Sequence, residues 1–560
     1  MLHNITKREK IIVMLAVMSG LFLVALDQTI ISTALSAIVK EFNSYSALGF
    51  VVTAYMLTST VTVPLAGKLS DMYGRRPILL SGVLIFTIAS LLSGMSQNIE
   101  QLIAFRAVQG LGGGIIMANA FTIIGDLFTP RERGRWQGFI GAVFGLSSVI
   151  GPLLGGWLTD GQNLIGMTTD WRWTFFINVP IGIVSALVIA RYCPSIKHDS
   201  KHRPDYLGAL FITAALSSLV LAVDNTDVIF SNLIAAGVNL ATIKTVLFTI
   251  TAVSTAAFVV VESKAKQPII PLRFFANRTF SLIVSAMLLF GAAFLGAILY
   301  LTQFNQQVFG ASASEAGMML LPMIAGLMLS SLSVGQITSR TGRYKAFMVA
   351  GFTIATVAMF SLTTLHSDSL YWEEAVRMAF AGFGLGMVMP LLNVAVQNEF
   401  EQKDLGAATA SVQLFRGLGS TIGTAVMSGI LTTGIATSIG DPNNIPYIQT
   451  LKNTPAASQM IDGEISADTL LRINMQQSTI SEGANKALDN APVPAEVREK
   501  QKQSFNDMQK DFSEQVIEAF SDALRNVFMI SGVLMLAALV LIVFVRERKL
   551  RDAPNTTPGV

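Results

Sequence analysis

The side chains with the most chemistry to offer lie where the sequence is otherwise apolar. Asp27 stands in Leu26-Asp27-Gln28-Thr29, inside the first apolar run. On a helix rising 1.5 Å per residue, that is about 24 Å from the start of the run. A carboxylate in such a medium has two expected fates. It takes up and releases a proton, or it stays paired with a buried arginine. Arg106, inside the fourth run, is equally costly to bury and must face a cavity or a partner, where its field would act on Asp27. Tyr55, Asn119, Asn393, Gln397, Gln413 and Arg416 are further polar groups within apolar runs. With Asp27 they are the expected lining of a substrate cavity, where Arg416 is expected to neutralise a charge or fix packing rather than to bind substrate. Glu315, near the start of the tenth run, is either a further proton or cation site or a solvated carboxylate at a helix start.

A second set of residues sits at turns. Gly67-Lys-Leu-Ser-Asp71-Met-Tyr-Gly74-Arg75-Arg76 is a short turn that sets one carboxylate against two guanidinium groups. Ion pairs at a helix junction can latch one conformation and release in another. The plainer reading is a glycine turn with topogenic positive charge. Gly335-x6-Gly342-Arg343 echoes the turn, which adds Gly342 and Arg343 to the expected latch. In the fifth run Gly138 precedes Gly151-Pro152-Leu-Leu-Gly155-Gly156, a pattern that permits bending and close helix contact.

The elements that carry these residues must be membrane helices. Of 560 residues, 52% are hydrophobic and 13% charged, with mean hydropathy +0.55. A soluble domain carries roughly 25% charge. That excludes a soluble enzyme, a disordered chain and a nucleic-acid binder, and net charge +3 provides no basic patch. Fourteen runs of spanning length lie near 11–35, 47–67, 77–96, 102–125, 135–158, 174–191, 207–223, 242–261, 279–302, 313–337, 345–365, 374–396, 406–438 and 525–545. Lysine and arginine collect in alternate loops and at both ends, while the short loops between hold Lys40, Arg172 and Lys244. Both termini are therefore expected in the cytoplasm. Residues 439–524 are a polar outer insertion. Within it, Phe505, Met508, Phe512, Val516 and Phe520 recur at helical spacing. It is expected to pack on the outer face, with a lid or a docking surface for an extracytoplasmic adaptor as the alternative.

Glycines repeat at an offset of about 270 residues: Gly110, Gly112 and Gly114 against Gly382, Gly384 and Gly386, then Gly134, Gly145 and Gly151 against Gly406, Gly417 and Gly423. This predicts a six-helix half over 1–203, two linker helices over 204–275, and a second six-helix half over 276–560 that carries the insertion. Two similar halves about a central cavity suit alternating access. Cys193 is the single cysteine, and His3, His198, His202 and His366 fall in loops or the N-terminal tail, so no metal centre is expected. No Walker A, G-x-S-x-G or H-E-x-x-H sequence occurs. With no cofactor or ATP site expected, an ion gradient is the remaining energy source, worth roughly 2.3 kcal/mol per proton per 100 mV.

Together these motifs resemble the fourteen-helix drug:proton antiporters of the major facilitator superfamily, the EmrB/QacA type. The resemblance covers about residues 10–435 and the last span. It rests on Gly67, Asp71, Gly74, Arg75 and Arg76; on Arg106, Gly110 and Gly114; on Gly138, Gly151, Pro152, Gly155 and Gly156; and on Leu26, Asp27 and Thr29. The stretch Trp171 to Gly182 is similar to that branch as well. Met72, Phe50, Ser36 and Ser147 depart from the family pattern, and Ser339 stands where the first half has Asp71. The resemblance implies an all-α major facilitator fold in the cell membrane, with no enzymatic centre. It implies exchange of protons for amphipathic, often cationic, compounds, and it places Asp126 in the latch with Asp71 and Arg75. A dedicated exporter of a lipid, siderophore or metabolite is the alternative.

Overall fold

The computed structural model describes residues 6–42, 48–159, 161–164, 167–194, 205–223, 226–452, 465, 467–489 and 494–550. His3, His198, His202, Lys40's side chain, the 203/204 boundary and parts of the insertion lie outside the described residues. In hydrocarbon every backbone N–H and C=O must be satisfied within the chain, so long apolar runs become helices. Fourteen helices here are long and apolar enough to cross a membrane. They are α1 Lys7–Phe42, α2 Leu48–Tyr73, α3 Arg75–Gly94, α4 Ile99–Leu127, α5 Pro130–Thr159, α6 Asn178–Tyr192 (whose span begins with the short helix at Trp173), α7 Tyr206–Val223, α8 Leu240–Lys264, α9 Arg278–Val308, α10 Leu321–Thr341, α11 Lys345–Leu362, α12 Tyr371–Glu399, α13 Leu405–Ile439 and α14 Ala495–Val543. The fold is all-α; among the described residues the one strand pair is Asn163–Leu164 with Met167–Thr168, two residues each.

Packing follows the repeat read from the glycines. In the first half α1 packs on α5 and α6, α4 on α2 and α3, and α3 on α6. Adding eight to each number gives the second half: α9 on α13 and α14, α12 on α10 and α11, and α11 on α14. The halves meet through α5 with α10 and α2 with α13, which the repeat also interchanges. The linker helices α7 and α8 pack on each other, and α7 leans on α2.

Glycine is required at two repeat-related contacts. A Cβ on Gly110 would lie 2.4 Å from the Tyr55 carbonyl oxygen of α2, and one on Gly382 would lie 1.8 Å from that of Met323 on α10. Backbones touch there, as they do where membrane helices associate through small residues.

The insertion is helical where it is described. α14 runs for 49 residues, about 74 Å at 1.5 Å per residue, so the amphipathic segment and the last span form one uninterrupted helix. Phe505, Phe512, Val516 and Phe520 are buried along it. Gln509 donates to the Tyr447 hydroxyl (2.9 Å), tying 446–452 to α14.

Gly382→Val should therefore destabilise the second half by about 1–3 kcal/mol through overpacking. The check is the thermal unfolding midpoint in detergent, with Gly429→Ala, which meets nothing within 4 Å, as a control that leaves it unchanged.

Candidate transport site

Between the halves lies a cavity of about 870 Å³. Its wall is built from α1, α2, α4, α5, α9, α10 and α13, with Val220 and Val223 from linker helix α7. It reaches away from the face that carries Lys10 and Leu550. At that far side it is lined by Gln303, Gln306 and Gln307 of α9 and by Leu471, Arg472, Met475 and Gln476 of the insertion. The insertion is anchored there by a polar chain. Asn474 donates to Gln307 (2.9 Å), and both Gln477 (2.6 Å) and Ser513 of α14 (3.0 Å) donate to Asn474.

Asp27 sits behind this wall rather than in it. It is fully buried, and Arg106 Nη1 reaches its Oδ2 at 2.5 Å. Gln109 Nε2 donates to its Oδ1 (2.9 Å), as does Asn178 Nδ2 (3.4 Å). The two charges neutralise each other, and the two amides satisfy the other carboxylate oxygen, which helps to hold an ion pair in a low dielectric. Arg106 also lies 4.4 Å over the Tyr55 ring. Tyr55 lines the cavity, so one aromatic ring separates the charge pair from it.

The expected cavity lining is therefore partly corrected. Tyr55, Gln413 and Arg416 face the cavity. Asp27, Asn119, Asn393 and Gln397 do not, because each is taken up inside the protein. Asn119 donates to the Ile115 carbonyl (2.9 Å). Asn393 accepts from Gln413 (3.0 Å), which in turn accepts from Arg416 (3.0 Å). Gln397 donates across the halves to the Phe121 carbonyl (3.0 Å). Glu315 is an exposed helix-start residue in a capping box with Ser312. Those hydrogen bonds hold its carboxyl below the ordinary carboxylate range, so it stays charged in water and away from the cavity.

On the face that carries Lys10 and Leu550 the halves are bolted together. Asp71 pairs with Arg75, and Arg75 Nε reaches Asp126 Oδ2 at 2.6 Å; all three side chains are buried. The free oxygen of Asp71 accepts the Ala407 backbone N–H (3.0 Å). Ala407 lies in the first turn of α13, so a carboxylate of one half caps a helix of the other at its positive end. Arg133 adds a second bolt, donating to the carbonyls of Gly125 (2.7 Å), Phe128 (3.2 Å) and Gln397 (3.0 Å).

Arg76 is not part of the carboxylate cluster, because its guanidinium turns to the Ala190 carbonyl of α6. The echoed turn differs too. Gly74 and Gly342 both hold positive φ (103° and 70°), but Arg343 is exposed. The carboxylate beside Gly342 comes instead from the C-terminal segment: Glu547 accepts the N–H groups of Tyr344 (3.0 Å) and Lys345 (3.2 Å), and Leu550 N–H donates to the Gly342 carbonyl (3.0 Å).

The fifth-helix motif lies on two seams. Gly67 of α2 approaches Ala410 of α13; Gly138 approaches the Ser331 carbonyl of α10, and Ser331 Oγ donates back to the Gly138 carbonyl (3.0 Å). Gly151 meets Thr29 of α1, and Pro152 meets Gly317. Gly155 is buried and Gly156 half-buried.

Residues 17–424 match the family model of the Major Facilitator Superfamily. The chain belongs to that superfamily: it is a multi-pass membrane transporter, not an enzyme. Over 434 residues it is 37% identical to the multidrug transporter protein MdtP of Bacillus subtilis (strain 168), covering 77% of each chain. Over 480 residues it is 34% identical to multidrug resistance protein 3 of the same organism, covering 82% of this chain and 90% of that one. In fold it is similar to the proton:xylose symporter XylE, with TM-score 0.57 and 13% identity over 96% of each chain.

Breaking the Asp71 bolt should open the face that it closes. Burial pushes the Cys193 thiol up to about 12, so the native cysteine is unreactive and an introduced one can be read alone. Ala408 is fully buried beside the bolt. A cysteine at 408 should react with a maleimide several-fold faster in Asp71→Asn than in the parent, and equal rates would contradict the bolt.

Proposed function

We propose that this transporter exports amphipathic compounds, drugs among them, by exchanging them for protons across the cytoplasmic membrane, with both chain ends in the cytoplasm. The carrying observation is the fully buried Asp27–Arg106 pair one ring away from the central cavity. Protonation of Asp27 removes its attraction for Arg106 and frees the guanidinium to reorient against Tyr55. The proton and the substrate then act on one another through that ring rather than by competing for a carboxylate.

In this cycle the arrangement with the Asp71–Ala407 and Arg133–Gln397 contacts closed is the outward-directed state. Protonation from outside loosens the first half, the bolts open, and the cavity turns to the cytoplasm. Loss of the proton there re-forms the pair. The relatives named for multidrug transport and resistance support the drug-efflux part of this reading. Rocking of the two halves would use the α5–α10 and α2–α13 seams, where glycines let backbones slide in close contact. The insertion lies over the far mouth, and any extracytoplasmic adaptor would meet it there.

Uptake of a fluorescent amphipath into everted vesicles should collapse on adding a proton ionophore. Asp27→Asn fixes the neutral form and should abolish gradient-driven uptake while leaving exchange down a substrate gradient. Gradient-driven uptake persisting in Asp27→Asn would remove Asp27 from the mechanism.

A further inference from the structure

We infer that the central cavity selects amphipathic substrates bearing an anionic group, with Arg416 as the residue that binds that group. This rests on the cavity being the transport site, as proposed above. Among the described residues that line the cavity there is no aspartate or glutamate, while Arg416 and Arg472 both contribute to its wall. Asp27, the carboxylate a cationic substrate would need, is enclosed with Arg106 behind Tyr55. Arg416 has no carboxylate in ion-pair contact among the described residues. Its Nε donates to Gln413, and Gln413 is committed in turn to Asn393. A guanidinium has five N–H donors in a fork matched to carboxylate, sulfonate or phosphate. A positive charge at an apolar wall without its counter-ion is unfavourable, and an arriving anion removes that cost.

The surroundings define the rest of the ligand. Arg416 lies 5.9 Å from the Phe144 ring across the seam between the halves. The two residues are related by the repeat, since each precedes a matched glycine, Gly145 or Gly417. The anionic head would sit on Arg416 and the apolar body along Phe144, Met117, Phe294 and Leu299, which line the same cavity.

Charge bookkeeping separates this from cation export. One proton moving in against one monovalent anion moving out transfers two charges in the same sense per turnover. Exchange of a proton for a monovalent cation transfers none.

The test uses the full chain with two probes, dansyl-undecanoate as the anion and ethidium as the cation. In detergent, dansyl-undecanoate should bind more tightly than ethidium. Arg416→Gln should weaken its binding at least tenfold, and Arg416→Lys should restore part of it, with unchanged thermal midpoints. In proteoliposomes under a fixed pH gradient, an imposed potential, positive on the side from which protons enter, should accelerate dansyl-undecanoate transport. Tighter ethidium binding, or dansyl-undecanoate binding indifferent to Arg416→Gln, would overturn the inference. If binding behaves as expected but no pH gradient drives transport, the proton-coupled function fails and the anion site stands.

Discussion

A charge in hydrocarbon has to be neutralised where it sits, and the architecture is arranged around that requirement. Asp27 and Arg106 neutralise one another within the first half. Asp71, Arg75 and Asp126 form a buried cluster whose surplus negative charge is turned toward the first-turn amides of α13. Arg133 has three backbone carbonyls instead of a carboxylate. Removing one member of a buried pair costs about 3–5 kcal/mol, comparable to what holds two conformations of a transporter apart. The same contacts that make the charges tolerable can therefore decide which way the cavity faces.

The two halves share a packing plan and differ in chemistry. Their main helix contacts correspond, including the close approaches at Gly110 and Gly382, although α13 also packs on α14 where α5 and α6 do not pair. Among the described residues, however, the fully buried charge pair within the spans belongs to the first half, and the turn at Gly342 borrows its carboxylate from the C-terminal segment. Ser339 in place of Asp71 is the local cause: a hydroxyl cannot offset a guanidinium, so Arg343 stays in water.

How much of this was legible in the sequence depended on rarity. An aspartate and an arginine within apolar runs have few ways to survive, so Asp27 and Arg106 stood out before any coordinates. Their amide partners Gln109 and Asn178 did not, since amides are cheap enough to appear in helices for many reasons. The same ambiguity misplaced Asn119, Asn393 and Gln397: spacing shows that a residue lies in a span, but not whether a backbone carbonyl waits beside it. The fourteen spans and the glycine repeat were readable because length and period are one-dimensional properties. That Arg76 would leave the cluster for α6, and that the insertion would contribute to the cavity wall, depended on distant chain segments meeting.

The length of α14 has a mechanical side. From Ala495 to Ser531 the helix contains neither glycine nor proline, so nothing along it favours a kink. It packs on α9, α11 and α13, and its first 30 residues, about 45 Å at 1.5 Å per residue, precede the apolar run near 525–545. A rigid rod clamped at one end magnifies rotation: tilting by about 10° displaces a point about 30 Å further along by roughly 5 Å, the pitch of one helical turn. The insertion, tied to α9 and α14, is thus a pointer fixed to the second half, and any tilt of the helices it is joined to would be magnified at its far end.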